Sequence, residues 1–432
     1  MFSKEKFNKK FILYILTFFT IATILALSSS PENLINTNLI KNNSYENLLF
    51  FKSAIPIIIF CFLIFITIKE LKKFLLIKNN LITIFYFFLL LFQIIGMIDS
   101  PQGSIKNLYY IIPQINIILI SLIFLEISNK KYLKFYLYAN LIIFFLILLY
   151  FSLIYFKYYL LFDNNFYATW GNIKNNEEIP RPTGMARLAI IFSAYYFCAY
   201  LAQNKKYLFI IIFFNYLIFA YQSRIVIFSL LLISLMFILI KEKYSIIKTI
   251  RYLILIFIIP FIFSLFMDFY KKEILFNSKV SATYETRILN TQDLELDTFT
   301  SNRTLDWEKI LNNYDKKRLF GYGILGDRIL INQTASNGFL YSLVSGGYFA
   351  VIIYCAICLY SCFLVYLALI KKKFNQYSWF ASSMIIFFLI RSLVENSFTI
   401  IGFDFFVFFS SVFYLEKIFL KKNKNKIITK RV

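Results

Sequence analysis

The chain of 432 residues is 59% hydrophobic and 21% aromatic, and it carries a formal net charge of +23. A soluble domain cannot bury that much apolar surface, so the composition indicates a membrane protein. Most of the basic residues flank apolar runs, as membrane topology signals do, and no nucleic-acid partner is expected. The sequence has no histidine, and its five cysteines fall inside apolar runs, so neither a metal site nor a cofactor is predicted.

Apolar runs long enough to cross a bilayer recur along the whole chain. They predict an all-α polytopic membrane protein with about twelve transmembrane helices and one large extracytoplasmic loop between helices 9 and 10. We divide the chain into residues 1–267 with helices 1 to 9, 268–346 with the loop, and 347–432 with helices 10 to 12 and a basic tail. The predicted spans are 11–28, 53–68, 81–98, 108–126, 135–156, 184–202, 206–221, 224–240, 250–267, 347–369, 377–393 and 400–417.

Lysines gather in alternate connections between these helices, for example at 69–78, 130–134 and 371–373, and again in the tail. The positive-inside rule then predicts that both termini are cytoplasmic and that the loop is outside. The N-terminal apolar run 11–28 follows several lysines and predicts a signal-anchor helix that stays in the membrane.

Arginines are distributed differently from lysines. Of ten arginines, only Arg251 and Arg431 fall on the predicted cytoplasmic side. Arg187, Arg224 and Arg391 fall at the outer ends of predicted helices 6, 8 and 11, at similar depth. A charge within a membrane is costly and indicates function unless it reaches the lipid headgroups. Arginine also binds phosphate bidentately, so these three residues are candidates for an anion site.

The polar segment 268–337 begins the predicted loop. Residues 304–314 predict an amphipathic helix, capped by Ser301 or Asn302, that lies on the membrane as a lid. Arg303 starts this helix. Trp307 lies on its apolar face, where it serves either as a membrane or core anchor or as a platform for stacking a sugar.

Three further motifs suggest a site. Gly321-Tyr322-Gly323 predicts a tight turn where backbone can approach a ligand. Ser336-Asn337 precedes an apolar run as helix caps do, and free amides there would suit an anion. Gly346-Gly347 interrupts that run, so 338–345 predicts a short re-entrant helix that lines a cavity.

Arg391 and Glu395 stand four residues apart and can pair on one helix face. The pair fits either a structural ion pair or an acid–base element beside a phosphate-binding arginine. Asp99 and Asp404 are the other carboxylates that fall within predicted helices near the outer face.

The order of these motifs resembles the bacterial O-antigen ligase and O-antigen polymerase family. Its members carry, in a late external loop, a Ser-x-Arg element followed by Trp, then a Gly-Tyr-Gly turn, then a His-Asn element and a further glycine. The ligase histidine is replaced by Ser336, which favours a polymerase. The matching residues are Ser301-Asn302-Arg303, Trp307, Gly321-Tyr322-Gly323 and Asn337 with Gly347, and Arg181-Pro-Thr-Gly184, Ser223-Arg224 and Arg391-Ser-Leu-Val-Glu395 are also similar.

The resemblance implies glycosyl transfer at the outer face of the bacterial inner membrane, from a polyprenyl-diphosphate-linked oligosaccharide to a sugar hydroxyl. Expected partners are that lipid-linked glycan, the membrane lipids and a chain-length regulator protein. The alternatives are a ligase that transfers glycan to lipid A-core and a lipid-linked glycan flippase or other transporter.

The implied site has two groups of residues. Arginines would neutralise the charge that develops on the leaving diphosphate. The base would be Glu395, Asp306 or an oxygen of the donor diphosphate. Catalytic roles are predicted for Arg224, Arg303, Glu395 and Asn337, and substrate-binding roles for Arg187, Arg391, Gly321, Tyr322, Gly323, Ser336 and Trp307.

Overall fold

A computed structural model describes twelve segments of the chain. The predicted spans 11–28 and 135–156, most of 53–68 and the first part of the predicted loop lie outside them. The described residues are 57–63, 80–99, 108–127, 182–202, 205–220, 223–242, 245–265, 303–315, 319–331, 334–370, 375–400 and 403–428.

All regular secondary structure in these segments is helical. Short 3₁₀ turns cover Lys205–Tyr207 and Ser397–Thr399, and a stretch of π-helix, Ile254–Ile258, lies within α6. The helices are α1 (Leu81–Asp99), α2 (Leu108–Ile127), α3 (Pro182–Leu201), α4 (Leu208–Ala220), α5 (Arg224–Lys241), α6 (Ile246–Leu265), α7 (Arg303–Asn313), α8 (Gly326–Ile331), α9 (Gly338–Ile370), α10 (Gln376–Ser392) and α11 (Phe403–Ile428).

Four of the described helices, α1, α5, α6 and α9, are long and apolar enough to cross a membrane. Lipid offers no hydrogen-bond partners to backbone N–H and C=O groups, whereas a helix pairs these groups with one another. Large apolar side chains also face outward on several helices, and Phe209, Ile247 and Leu359 are 82%, 83% and 73% exposed. These features confirm a helical architecture with four candidate membrane spans among the described residues and are consistent with a membrane protein, whereas the number of spans and the size of the loop stay predictions.

Helix α10 lies at the centre of the bundle, in contact with α3, α5, α9 and α11. It is rich in serine, yet its serine side chains are buried. Ser382 Oγ donates to Ser378 O at 2.8 Å, and Ser383 Oγ donates to Phe380 O at 2.6 Å. Because these hydroxyls bond to their own helix, small side chains can line a closely packed core without leaving polar groups unpaired.

Helices α1 and α11 meet at one end through a carboxylate. Glu416 is almost fully buried, and its Oε1 accepts a hydrogen bond from the first amide of α1, Leu81 N, at 2.6 Å. A negative charge is favourable at a helix N-terminus. The contact joins the start of α1 to the later part of α11.

Helix α9 is broken at Gly347, whose φ of 71° and ψ of −161° are not helical. The interruption predicted at Gly346-Gly347 is therefore confirmed, and residues 338–346 form a separate short helix. The loop 319–323 pairs with the break: Tyr322 N donates to Val344 O at 2.7 Å, and Tyr348 N donates to Leu319 O at 3.2 Å. These bonds satisfy backbone groups that the break leaves without helical partners.

Four glycines, Gly96, Gly321, Gly323 and Gly347, allow that loop to pack between α1 and the break; we call them the glycine joint. A Cβ on Gly96 or Gly347 would overlap the backbone of the loop 319–323. A Cβ on Gly323 would lie 2.6 Å from Met97 Cα. Backbone approaches backbone so closely here that a side chain at any of these positions would require the segments to separate.

Helix α7 matches the predicted amphipathic helix to within one residue. Its C-terminal part is anchored on the glycine joint, where the Tyr314 ring lies 5.9 Å from that of Tyr322 and 6.1 Å from that of Tyr348. Asn313 Nδ2 also donates to Leu330 O of α8 at 3.2 Å. Leu311, four residues after Trp307 and on the same face of the helix, is 51% exposed.

Candidate functional site

Three arginines and two carboxylates from four parts of the chain meet at one end of the bundle. We call these five residues the ionic cluster. Helices α10 and α11 bring three members together because the connection between them is short and reverses the chain. The start of α3 and the start of α7 supply the other two members. The cluster consists of Arg187, Arg303, Arg391, Glu395 and Asp404.

The ion pairs form one continuous chain. Arg187 Nη1 donates to both oxygens of Asp404, at 3.1 and 3.3 Å. Asp404 also pairs with Arg391, which pairs in turn with Glu395. The chain ends at Arg303, whose Nη2 lies 3.3 Å from Glu395 Oε1. Arg391 is therefore the central member and contacts both carboxylates.

Exposure separates the cluster into a base and a rim. The side chains of Arg391 and Asp404 are only 6% and 8% exposed, whereas those of Glu395, Arg303 and Arg187 are 22%, 29% and 32% exposed. Buried charges must be paired, and the Arg391–Asp404 pair meets that requirement. The rim arginines keep part of each guanidinium open to an incoming group.

The charges of the cluster favour an anion. Three positive and two negative charges leave a net charge of +1. Burial by itself would raise the pKa of Glu395, but the positive charges of the three arginines outweigh it and hold that pKa below its usual value. Glu395 is thus ionised at neutral pH and is a weak proton acceptor in this arrangement.

A metal site is not formed in the described part of the chain, where no three potential ligands from His, Cys, Asp and Glu come together. Within the cluster both carboxylates are bound by arginine. Planar guanidinium groups bind oxyanions such as phosphate or carboxylate through paired hydrogen bonds. The chemistry available at this end of the bundle is therefore oxyanion binding.

Asn337 caps helix α9 and supports the turn that carries Glu395. Its Oδ1 accepts from Phe339 N at 2.8 Å and from Leu340 N at 3.1 Å, and its Nδ2 donates to Leu393 O at 2.9 Å. The two helix amides that were expected to be free for an anion are thus bound by Asn337 itself. The neighbouring Ser336 is half-buried, and no bond from it places it in the cluster.

Arg224 is not part of the ionic cluster, although it was predicted to share a site with the other arginines. It is the first residue of α5, is exposed, and makes no ion pair with any residue in the described segments. Helix α5 does pack against α3 and α10, which carry Arg187 and Arg391. A catalytic role for Arg224 stays a prediction.

The glycine turn also lies apart from the ion pairs. The amides of Tyr322 and Gly323 donate to Val344 O and Ser345 O, so they are used to hold the broken helix. Trp307, by contrast, lies one helical turn after Arg303 and on the same side of α7. Its indole Nε1 is buried and has no hydrogen-bond partner among the described residues.

Asp404 is the member of the cluster that sequence reasoning did not assign to the site. It lies in the first turn of α11, ahead of a run of apolar residues. A lone carboxylate at the start of an apolar helix is a signal for function or for a buried partner. Its predicted depth, which equals that of the arginines, is the sequence signal that makes it a candidate for their ion-pair partner.

Another buried carboxylate, Asp327, serves the fold. Its Oδ2 accepts from Ala335 N at 2.7 Å, which holds the start of α8 close to the residues that precede Asn337. Burial raises the pKa of Asp327, and the backbone amides that donate to it oppose that effect.

The chain shows no match to a protein-family model, to a curated protein or to a solved structure.

Proposed function

We propose that this protein is a membrane glycosyltransferase that polymerises a lipid-linked surface glycan. Its donor would be an oligosaccharide on polyprenyl diphosphate, and its acceptor a sugar hydroxyl of a second lipid-linked glycan. The reaction would take place at the outer face of the bacterial inner membrane. The observation that carries this proposal is the convergence of Arg187, Arg303 and Arg391 at one end of a membrane helix bundle.

The chemistry of the proposed reaction suits that arrangement. The acceptor oxygen attacks the anomeric carbon of the donor, the bond from that carbon to the diphosphate breaks, and negative charge develops on the leaving group. Guanidinium groups that are already in place stabilise such charge without further rearrangement. A diphosphate on a lipid would reach the cluster at the ends of the helices, where the rim arginines are partly exposed.

The sugar would lie along α7. Trp307 is one turn from Arg303, and its buried indole N–H has no hydrogen-bond partner in the described part of the chain, which suits a hydroxyl group or a sugar ring. The acceptor hydroxyl must lose its proton during transfer. Glu395 pairs with Arg303, the arginine that α7 contributes, and is one candidate base; Asp306 and the donor diphosphate are the others.

A chain-length assay tests the proposal. In a strain that lacks the gene, complementation with the wild type should restore long-chain surface polysaccharide, measured on a gel. Arg303→Ala should leave a single repeat unit on its lipid, at equal membrane abundance. Arg303→Lys should fail as well, because an ammonium group cannot bind phosphate bidentately.

Lys309→Ala is the matched control, since it removes one positive charge from an exposed position of the same helix. It should leave chain length unchanged. Unchanged chain length in Arg303→Ala would count against the polymerase. Long polymer that accumulates on lipid diphosphate when the gene is deleted would indicate a ligase instead.

A further inference from the structure

Glu395 occupies the position between two arginines that an oxyanion would take. Its Oε1 faces Arg303 Nη2 at 3.3 Å, and its Oε2 faces Arg391 Nη2. Each carboxylate oxygen thus meets a different guanidinium. Two oxygens of a phosphate group present acceptors at a similar spacing and bind arginine in the same bidentate way.

The two carboxylates of the cluster are held differently. Asp404 belongs to helix α11, is almost fully buried and pairs with Arg391 at the base and with Arg187 at the rim. Glu395 lies in the turn between α10 and the 3₁₀ turn Ser397–Thr399, and its side chain is 22% exposed. The longer side chain on the turn can rotate away from its partners, whereas the short one on the helix cannot do so without moving α11.

We propose that Glu395 is an internal occupant of the anion site, and that a phosphate group of the ligand displaces it from Arg303 and Arg391. Asp404 keeps Arg187 and Arg391 in place during the exchange. The identification of that ligand as the diphosphate of a lipid-linked sugar rests on the proposed function. The exchange itself concerns any phosphate oxyanion that reaches the cluster.

Displacement changes the charge that the ligand meets. With Glu395 in place the cluster carries +1, and with Glu395 removed the three arginines and Asp404 carry +2. A neutral sugar cannot take the place of the carboxylate, because Arg303 would lose its ion pair with Glu395 and Arg391 would lose one of its two ion pairs. The internal occupant therefore selects for an anionic ligand.

Displacement also couples ligand binding to proton transfer. Glu395 is a weak base while it is bound by arginine, because the neighbouring positive charges lower its pKa. Once the phosphate has bound Arg303 and Arg391, these arginines no longer lower the pKa of Glu395, and a negative group lies beside the freed carboxylate. Glu395 becomes a stronger base only when the donor is bound, which limits proton abstraction to the loaded site.

The test is the affinity of the purified full-length protein for inorganic diphosphate, measured by calorimetry in nanodiscs of zwitterionic lipid at physiological salt. Glu395→Gln should bind about five-fold more tightly than the wild type, or better, since one partly exposed ion pair no longer competes. Glu308→Gln is the matched control, because it removes the same charge from an exposed position of α7. It should change affinity by less than about two-fold, since salt screens distant surface charges.

Equal or weaker binding by Glu395→Gln would overturn displacement, as would an equal gain in the Glu308→Gln control or an absence of diphosphate binding in every variant. If Glu395→Gln does not fold, Glu395→Asp replaces it. The shorter side chain keeps the charge but reaches Arg303 poorly, so diphosphate should again bind more tightly.

The chain-length assay separates this proposal from the proposed function. Tighter diphosphate binding by Glu395→Gln, together with long-chain glycan in Arg303→Ala, would support displacement and reject the polymerase. Loss of long-chain glycan in Arg303→Ala, together with unchanged diphosphate binding in Glu395→Gln, would support the polymerase and reject displacement.

Discussion

The ionic cluster and the glycine joint lie near opposite ends of helix α7, and they hold it in opposite ways. Arg303 at the start of α7 pairs with a partly exposed carboxylate, whereas Tyr314, just beyond its end, packs on the joint. At 1.5 Å per residue, the 11 residues of α7 separate the two by about 16 Å. One region uses charged side chains that can change partners, and the other uses backbone groups that cannot.

This difference indicates which region can receive a ligand. In the joint, the amides of Tyr322 and Gly323 are already bonded to the backbone of α9, and the glycines leave no space between the segments. In the cluster, three of the five side chains keep between 22% and 32% of their surface exposed. The joint therefore fixes the position of α7, and the cluster presents the groups that can bind an anion.

The largest effect is expected from Gly347→Ala. The backbone at Gly347 has φ 71° and ψ −161°, a conformation essentially restricted to glycine that costs another residue about 1–3 kcal/mol, and the new Cβ would overlap Leu319 O. Because the overlap is with backbone, the loop would have to leave the break in α9. We expect the folded, monodisperse protein to be lost, as measured by size-exclusion chromatography of the purified membrane protein.

Gly338→Ala is the control for that prediction. Gly338 begins α9 with no positive φ, and an added Cβ would lie 3.1 Å from the Tyr354 hydroxyl, a contact that small shifts can relieve. We expect this variant to be purified in folded form. A stable Gly347→Ala protein with normal chromatographic behaviour would show that the joint tolerates separation and is not rigid.

A smaller but still large effect is expected from Asp404→Ala. The change leaves Arg391 buried with Glu395 as its one remaining ion-pair partner among the described residues, and it leaves Arg187 without its partner. Removing one member of a buried ion pair destabilises by about 3–5 kcal/mol. Thermal unfolding in nanodiscs should show a lower midpoint for Asp404→Ala than for the wild type, and Asp404→Glu should recover part of the loss.

The double variant Arg391→Leu with Asp404→Leu sharpens the comparison of base and rim. Replacement of a whole buried pair by apolar side chains is often neutral for stability. We therefore expect the double variant to unfold closer to the wild-type midpoint than Asp404→Ala does. A double variant whose unfolding midpoint is no higher than that of Asp404→Ala would show that more than charge pairing holds Arg391 and Asp404 in place.

The sequence predicts a common depth for three arginines, but it does not predict their neighbours. The alternation of lysine-rich connections and apolar runs put Arg187 and Arg391 at equal depth, and the structure joins both to Asp404. The same logic gave Arg224 equal depth, yet it lies outside the cluster. Hydrophobic length and charge determine how deep a residue lies, whereas helix packing determines which side chains face one another.

The glycine motif shows a second limit of sequence reasoning. Glycines mark places where backbone must come close to something, and the sequence does not tell whether that partner is a ligand or another backbone. The break at Gly347 could be predicted because two adjacent glycines interrupt an apolar run. The partner of Gly321-Tyr322-Gly323 could not, because it is supplied by residues 344–348 and by α1.

The smallest effect is expected at Asn337, which connects α9 to the rim of the cluster. Asn337→Ala removes an N-cap, a change that destabilises by about 1 kcal/mol, and it also frees Leu393 O. Asn337→Asp keeps the two cap bonds to Phe339 and Leu340 but cannot donate to Leu393 O. Thermal unfolding should therefore place the midpoint of Asn337→Asp between those of the wild type and Asn337→Ala.

If the donor to Leu393 O helps to position the turn that carries Glu395, then both variants should bind inorganic diphosphate with altered affinity. Altered affinity in Asn337→Ala alone would assign the effect to the cap, and so to α9 rather than to the turn.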